Sequence, residues 1–220
     1  MEINMKENEI RAYWDEFYGN CSLIDTSSFY QFVLNRVPRE CVVIDIGCGT
    51  ARDTIAFASV AETVIGLDAS KVVIERNTDN YGALFLNLQF RKLDVGNRAQ
   101  LNDFLTSIKK TYPDKRLFIY SRFFLHAITE SAEDVLFSTL NRNLKRDDLV
   151  VLEFRVKEDK KLYKNYGNHY RRYIDTDKFN VKLSNLYNFD VDYFEKSRGL
   201  SIYNEEDPFL ARYILKKRGQ

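Results

Sequence analysis

The chain has 220 residues, 45% of them hydrophobic, and carries 33 Lys and Arg against 32 Asp and Glu, a net charge of +1. That length suits one domain over residues 1–220 with a full core, and the charge balance speaks against a dedicated nucleic-acid binder, which shows a basic excess. No apolar run approaches membrane-spanning length, no signal-peptide pattern opens the chain, and Cys21, Cys41 and Cys48 form neither a zinc pattern nor a disulfide framework, so the expected setting is a reducing cytosol without a metal site.

Residues 6–18 place Ile10, Tyr13, Trp14, Phe17 and Tyr18 at helical spacing, which predicts an amphipathic helix packed on the domain. Asp25-Thr-Ser-Ser follows, with Ser27 and Ser28 as cap residues for a helix over 29–36. The run 41–46, Cys-Val-Val-Ile-Asp-Ile, is short, apolar and rich in β-branched residues, and reads as a buried parallel strand. Asp45 stands near its end, Gly47 and Gly49 follow, and a helical pattern resumes over 51–59. Strand, glycine turn and helix make a nucleotide-binding corner, because glycines let the backbone turn sharply and let a ligand approach. The dinucleotide fingerprint G-x-G-x-x-G fails here, since Arg52 takes the third glycine place, and this speaks against an NAD-dependent oxidoreductase. Asp45 would also repel a pyrophosphate and suits a ligand with a positive or neutral centre.

A second strand, 62–67, ends at Asp68. That acid lies about 20 residues beyond the turn, the reach of a carboxylate that accepts both ribose hydroxyls. Its alternative role is to cap a helix over 71–81, a task Ser70 can perform alone. A third strand, 88–93, ends at Asp94-Val95, and a helix over 97–111 turns Leu101, Phe104, Leu105 and Ile108 inward. A fourth strand, 117–120, runs into Ser121-Arg-Phe-Phe-Leu-His126. His126 and His169 are the 2 histidines, and both follow strand ends. Such a His is either a satisfied structural residue or a neutral imidazole that takes a proton from an acceptor hydroxyl. A helix over 133–143 and a strand over 149–154 come next. The segment 157–177 is polar, basic and aromatic. As an insertion after a strand end it overlies the ligand crevice. It is either a solvated charged loop or a substrate cap in which His169, Arg171 and Arg172 hold a phosphate or carboxylate, which guanidinium groups bind bidentately. A helix over 176–186 and two extended runs, 189–197 and 209–216, complete the chain as an antiparallel pair.

Asp45-Ile-Gly-Cys-Gly-Thr-Ala resembles the first motif of class I S-adenosylmethionine (SAM) methyltransferases, an acid followed by G-x-G-x-G, with Ala51 at the last glycine. Strands ending in Asp45, Asp68 and Asp94, and the closing antiparallel pair, extend the resemblance over almost the whole chain. It implies a doubly wound, Rossmann-like α/β sheet of seven strands whose last strand is antiparallel. It also implies lid helices over 1–36 and a substrate cap over 157–177. SAM would be held by Asp45, Gly47, Cys48, Gly49 and Asp53 at the turn, Asp68 and Ala69 at the ribose, Asp94 and Val95 at the adenine, and Ser121 after the fourth strand. Ser27 would sit at the amino acid end, with Tyr13 and Trp14 covering the sulfonium through cation–π attraction. Arg122 and His126 would face the methyl group and the acceptor.

Ser-Arg-Phe-Phe-Leu-His-Ala-Ile, Glu-Phe-Arg and His-Tyr-Arg-Arg-Tyr are similar to segments of small methyltransferases of bacterial capsule and surface-polysaccharide assembly, some linked to O-methyl phosphoramidate decoration. The implied reaction is O-methylation of a small anionic or sugar precursor, a phosphorylated metabolite or nucleotide sugar. Its catalytic set would be His126, His169, Arg122, Arg171 and Arg172. The alternatives are an NAD-dependent oxidoreductase, which would share the sheet, and a non-catalytic SAM-binding or scaffold protein, which would keep the three acids without needing the polar groups of 122–126 and 168–172.

Overall fold

The computed structural model describes residues 9, 10, 12–14, 16, 25–164 and 170–219. Its centre is β1 (Cys41–Ile46), buried along its whole length. Successive side chains leave it on opposite faces. Val42, Ile44 and Ile46 enter one core layer and Cys41 and Val43 the other. That two-sided burial is why the strand reads as an unbroken apolar run.

Six more strands complete the sheet: β2 (Thr63–Asp68), β3 (Leu88–Lys92), β4 (Arg116–Arg122), β5 (Leu149–Arg155), β6 (Phe189–Ser197) and β7 (Leu210–Lys217). Their order is β3-β2-β1-β4-β5-β7-β6. The first five are parallel, and β7 runs antiparallel to both β5 and β6, so β7 alone is reversed. The expected architecture is therefore the observed one. Strand order turns around between β1 and β4, the point where an open α/β sheet offers a crevice at the carboxyl ends of its strands.

Helices cover both faces. On one lie α1 (Ser28–Val33), α2 (Arg52–Phe57) and α3 (Lys71–Tyr81); on the other lie α4 (Arg98–Thr111), α5 (Glu130–Asn143) and α6 (Thr176–Asn185). Ser27, Ser70, Asn97, Thr129 and Asp175 each accept a backbone N–H at a helix start, which fixes those boundaries. The cap on Ala132 N–H by Thr129 starts α5 earlier than the predicted residue 133. The strand β4 extends to Arg122, beyond the predicted residue 120, because Ser121 and Arg122 pair with Leu152 and Glu153 of β5.

Residues 9, 10, 12–14 and 16 are helical, inside the predicted 6–18 helix. Phe17, Tyr18, Cys21 and His169 lie outside the described residues. After β5, Lys157–Lys161 forms a 3-10 turn, and Ile174 bridges Val156 before α6 begins. Among the described residues no helix is long and apolar enough to cross a membrane, and no group of three or more His, Cys, Asp or Glu side chains is placed to hold a metal ion.

Candidate active site

A cavity of about 440 Å³ opens at the carboxyl ends of the parallel strands. Its floor is the turn after β1. Gly47 and Gly49 have φ of 77° and 50°, a left-handed conformation that favours glycine. A Cβ on Gly47 would lie 2.3 Å from the Phe124 ring, so this position needs glycine for room as well as for φ. The N–H groups of Gly47 and Cys48 both donate to the Leu67 carbonyl, and Gly49 N–H donates to Asp68 Oδ2 at 3.1 Å. These bonds tie the turn to the end of β2 and set Asp68 beside it. Asp68 Oδ1 accepts from Ser70 N–H at 2.9 Å. The carboxylate is thus oriented by main-chain donors, and each of its oxygens can accept more than one hydrogen bond.

Asp45 is buried, with Oδ2 accepting from the Thr54 hydroxyl at 2.6 Å. Burial pushes its carboxyl up to about 8, and the neighbouring Asp53 and Asp68 carboxylates add to the shift. Asp53 holds the wall together. Its carboxylate accepts from Ser27 N–H, the Ser27 hydroxyl and the Tyr120 hydroxyl at 2.7, 2.7 and 2.6 Å. The segment before α1 is thereby locked to the helix that follows the glycine turn.

The opposite end of the cavity is built around Phe123, which has φ of 53° at the end of β4. An aromatic residue rarely adopts this conformation, and such strain concentrates at functional sites. The Arg122 and Arg155 guanidinium groups lie 4.3 and 5.4 Å from its ring centroid. His126 meets it edge-on at 5.6 Å. Arg122 pairs with Glu153 at 3.0 Å and donates to Ser201 Oγ at 2.8 Å. Arg155 is held by Asp159 at 2.7 Å and by Glu206. His126 Nδ1 accepts the Arg155 backbone N–H at 3.2 Å. A neutral imidazole with an accepting Nδ1 carries its proton on Nε2. Arg171 also lines the cavity, and desolvation, with Arg155's like charge behind it, lowers the hold of its guanidinium on its proton.

Of the residues singled out from sequence, Trp14, Ser27, Asp45, Gly47, Cys48, Gly49, Asp53, Asp68, Ala69, Asp94, Arg122, His126 and Arg171 line this one cavity. Tyr13 does not line it and packs edge-on against Trp14 at 5.2 Å. Val95 is buried in the core beside it, and the Ser121 hydroxyl turns to the Ile46 carbonyl at 3.1 Å. Arg172 turns away from the cavity. It donates to the Leu125 and Ile128 carbonyls and pairs with Glu133 at 2.5 Å. One arginine of the pair thus faces the cavity and the other fixes the wall.

Sequence reasoning passed over Arg52, Phe123, Arg155 and the connection between β6 and β7, which contributes Ser201, Ile202, Tyr203, Glu206 and Pro208 to the lining. Arg155 was within reach, since it ends the Glu-Phe-Arg segment. Nothing in the spacing of the connection marks it as a wall; its contacts with Arg122 of β4 and Arg155 of β5 make it one.

Residues 38–178 match the family model described as a methyltransferase domain. In structure the chain is similar to a SAM-dependent methyltransferase from Anabaena variabilis ATCC 29413, with TM-score 0.76 and 20% identity over 99% of this chain and 98% of that one. It is similar to a SAM-dependent methyltransferase from Methanosarcina mazei, with TM-score 0.64 and 15% identity over 90% of this chain and 100% of that one. Phosphoethanolamine N-methyltransferase 1 of Haemonchus contortus, solved with phosphoethanolamine and S-adenosylhomocysteine, matches 96% of this chain with 49% of its own, at TM-score 0.69 and 15% identity. At these identities the likeness is one of fold. The comparison with curated proteins gives no match.

Proposed function

The chain belongs to the methyltransferase-domain family, with SAM as cofactor, and from that premise we propose that it O-methylates a small anionic acceptor bearing a phosphate or phosphoramidate group. The cavity fits the cofactor on three counts. Asp68 is aimed by backbone donors, Gly47 and Gly49 hold the turn in a left-handed conformation at the cavity floor, and the Arg52 Nε is a buried donor without an acceptor. Asp68 would hold the ribose and Asp94 the adenine. Trp14 would lie over the sulfonium. When bound, SAM supplies an already activated methyl group on a sulfonium centre. What the chain must add is alignment of the acceptor oxygen.

The observation that carries the acceptor class is the bond from Arg155 N–H to His126 Nδ1. It leaves Nε2 protonated in the neutral ring, so His126 serves as a donor to an acceptor oxygen rather than as its base. A hydroxyl needs its proton removed during attack, whereas a phosphate oxygen is anionic near neutral pH. Arg122 and Arg171 line the same end of the cavity, and an anion there relieves the crowding between Arg171 and Arg155. Similarity of the 121–128, 153–155 and 169–173 segments to surface-polysaccharide methyltransferases supports a precursor of such a polymer as the acceptor. Buried, unpaired Cys41 and Cys48 are in keeping with a cytoplasmic setting.

The test is a pH–rate profile with phosphorylated metabolites and nucleotide sugars, after a scanning fluorimetry screen in which S-adenosylhomocysteine, and not NAD, raises Tm. With the true acceptor, His126→Gln, which keeps a donor, is expected to retain most of kcat. His126→Ala should raise KM with a flat profile above neutral pH. A fall in kcat of about 10²-fold for both variants, recovered as pH rises, would show that His126 is a base and the acceptor a hydroxyl.

A further inference from the structure

The connection between β6 and β7 plays no part in the reading of the acceptor as an anion, yet it lines the cavity. Two of the cavity's own arginines pin it. Arg122 donates to Ser201 Oγ at 2.8 Å, and Arg155 pairs with Glu206. Between the pins the chain turns back on itself. Tyr203 and Glu206 exchange backbone N–H to carbonyl bonds at 3.0 Å, with Asn204 at φ of 52°. Asparagine adopts that left-handed conformation more readily than most residues. The pins are buried and the side chains between them are not. Ser201 and Glu206 are 8% and 5% exposed, whereas Ile202 and Tyr203 are 65% and 43% exposed, and both of these line the cavity. A wall already fixed in place loses little freedom when a ligand covers it, and its apolar area is then released from water.

Depth separates two kinds of surface at this end of the cavity. The Arg122 and Arg155 side chains are 16% and 6% exposed, so the cations lie deep and Ile202 and Tyr203 stand at the mouth. Glu153 is shared by Arg122 and Arg212, which leaves that trio one positive charge in excess on the deep side. An anionic group therefore belongs inside and an apolar surface outside. The outer surface is small and mixed. Exposed Asn204 and Glu205 follow Ile202 and Tyr203 directly, and the tyrosine ring ends in a hydroxyl. A hydrocarbon chain would meet little apolar area there and polar groups beside it. A flat nucleobase is held between aromatic or guanidinium planes, which Ile202 does not offer. A sugar ring, with a C–H face and a rim of hydroxyls, matches both parts of the wall. We propose that the acceptor is a sugar phosphate bound phosphate inward, with the C–H face of its ring against Ile202 and Tyr203, so that the β6–β7 connection selects the organic part of the acceptor. This rests on the reading of the acceptor as an anion.

Calorimetric titration of protein saturated with S-adenosylhomocysteine tests it. The probes are the phosphates of glucose and galactose, the free hexoses, glycerol phosphate, which lacks the ring, and uridine monophosphate. The tighter hexose phosphate should bind wild type about tenfold or more better than either glycerol phosphate or its own free hexose. Tyr203→Ala and Ile202→Ser should each weaken hexose phosphate about fivefold or more, the scale of one lost ring or aliphatic contact, and leave glycerol phosphate within about twofold. Tyr203→Phe keeps the ring face and should retain hexose phosphate binding. Ile202→Ser carries the comparison should Tyr203→Ala fail to fold. Equal wild-type affinity for hexose phosphate and glycerol phosphate, or equal losses for both in the two variants, overturns the assignment. Uridine monophosphate binding tighter than either hexose phosphate does the same and gives Tyr203 to a nucleobase. A wild-type protein that binds no phosphate at all overturns the anionic reading of the acceptor and this assignment with it.

Discussion

Ala51 stands at the last glycine place of the turn and adopts φ of 64° and ψ of 15°. A left-handed conformation costs a residue with a Cβ about 1–2 kcal/mol. Against that, the Ala51 methyl is fully buried, and a buried methyl contributes about 0.8 kcal/mol. The two effects nearly cancel, which is how alanine comes to be tolerated where the family motif has glycine. Ala51→Gly is therefore expected to leave Tm within about 3 °C of wild type. Ala51→Val adds a β-branched side chain to the same left-handed position and a close-packed wall. It should lose more than about 2 kcal/mol, read as a fall of several degrees in Tm. Equal stability of the glycine and valine variants would show that the strain is absent.

Three buried ion clusters tie the elements around the cavity. Glu153 of β5 takes Arg122 of β4 and Arg212 of β7, the latter at 2.7 Å. Arg155 takes Asp159 and Glu206, which anchors the β6–β7 connection. Glu133 of α5 takes Arg172 at 2.5 Å, Lys182 of α6 at 3.4 Å and the Tyr187 hydroxyl at 3.1 Å. Removing one partner of a buried pair leaves an uncompensated charge, at a cost of about 3–5 kcal/mol. The adjacent arginines thus separate by assay. Arg172 also caps the Leu125 and Ile128 carbonyls that shape the turn carrying His126. Its replacement by Ala is expected to lower stability by about 2–4 kcal/mol in urea titration. Arg171→Ala, at a residue that lines the cavity, should raise acceptor KM about tenfold or more. An unchanged KM for Arg171→Ala, or an unchanged midpoint for Arg172→Ala, would contradict the roles their contacts indicate.

At the scale of the molecule, the parallel sheet was legible because two-sided burial writes β1, β2, β4 and β5 as apolar runs, and Asp45, Asp68 and Asp94 stand at or just beyond the ends of β1, β2 and the more exposed edge strand β3. The acceptor end was less legible. Which of Arg171 and Arg172 faces inward depends on where Glu133 and the Leu125 and Ile128 carbonyls lie to hold Arg172, and whether Arg52 has an acceptor depends on how Asp53 is spent on Ser27 and Tyr120. Neither is encoded in spacing. Asp45 shows the same separation, since its place in the motif is plain from sequence while its ionisation follows from its burial, to which Asp53 and Asp68 add. Burial raises its carboxyl from an ordinary 3.8 to about 8. Between those values the native protein holds a proton that the unfolded chain has released, so the contribution of Asp45 to stability falls as pH rises through that window and levels off above it. Ligand-free wild type should accordingly lose Tm relative to Asp45→Asn between about pH 5 and pH 8, where the amide cannot titrate. A cation entering the cavity favours the ionised carboxylate. Binding of S-adenosylhomocysteine at neutral pH should then release protons, seen as a calorimetric enthalpy that varies with the ionisation enthalpy of the buffer. Parallel Tm curves for the two proteins, with a binding enthalpy independent of buffer, would mean that Asp45 is already ionised in the empty cavity.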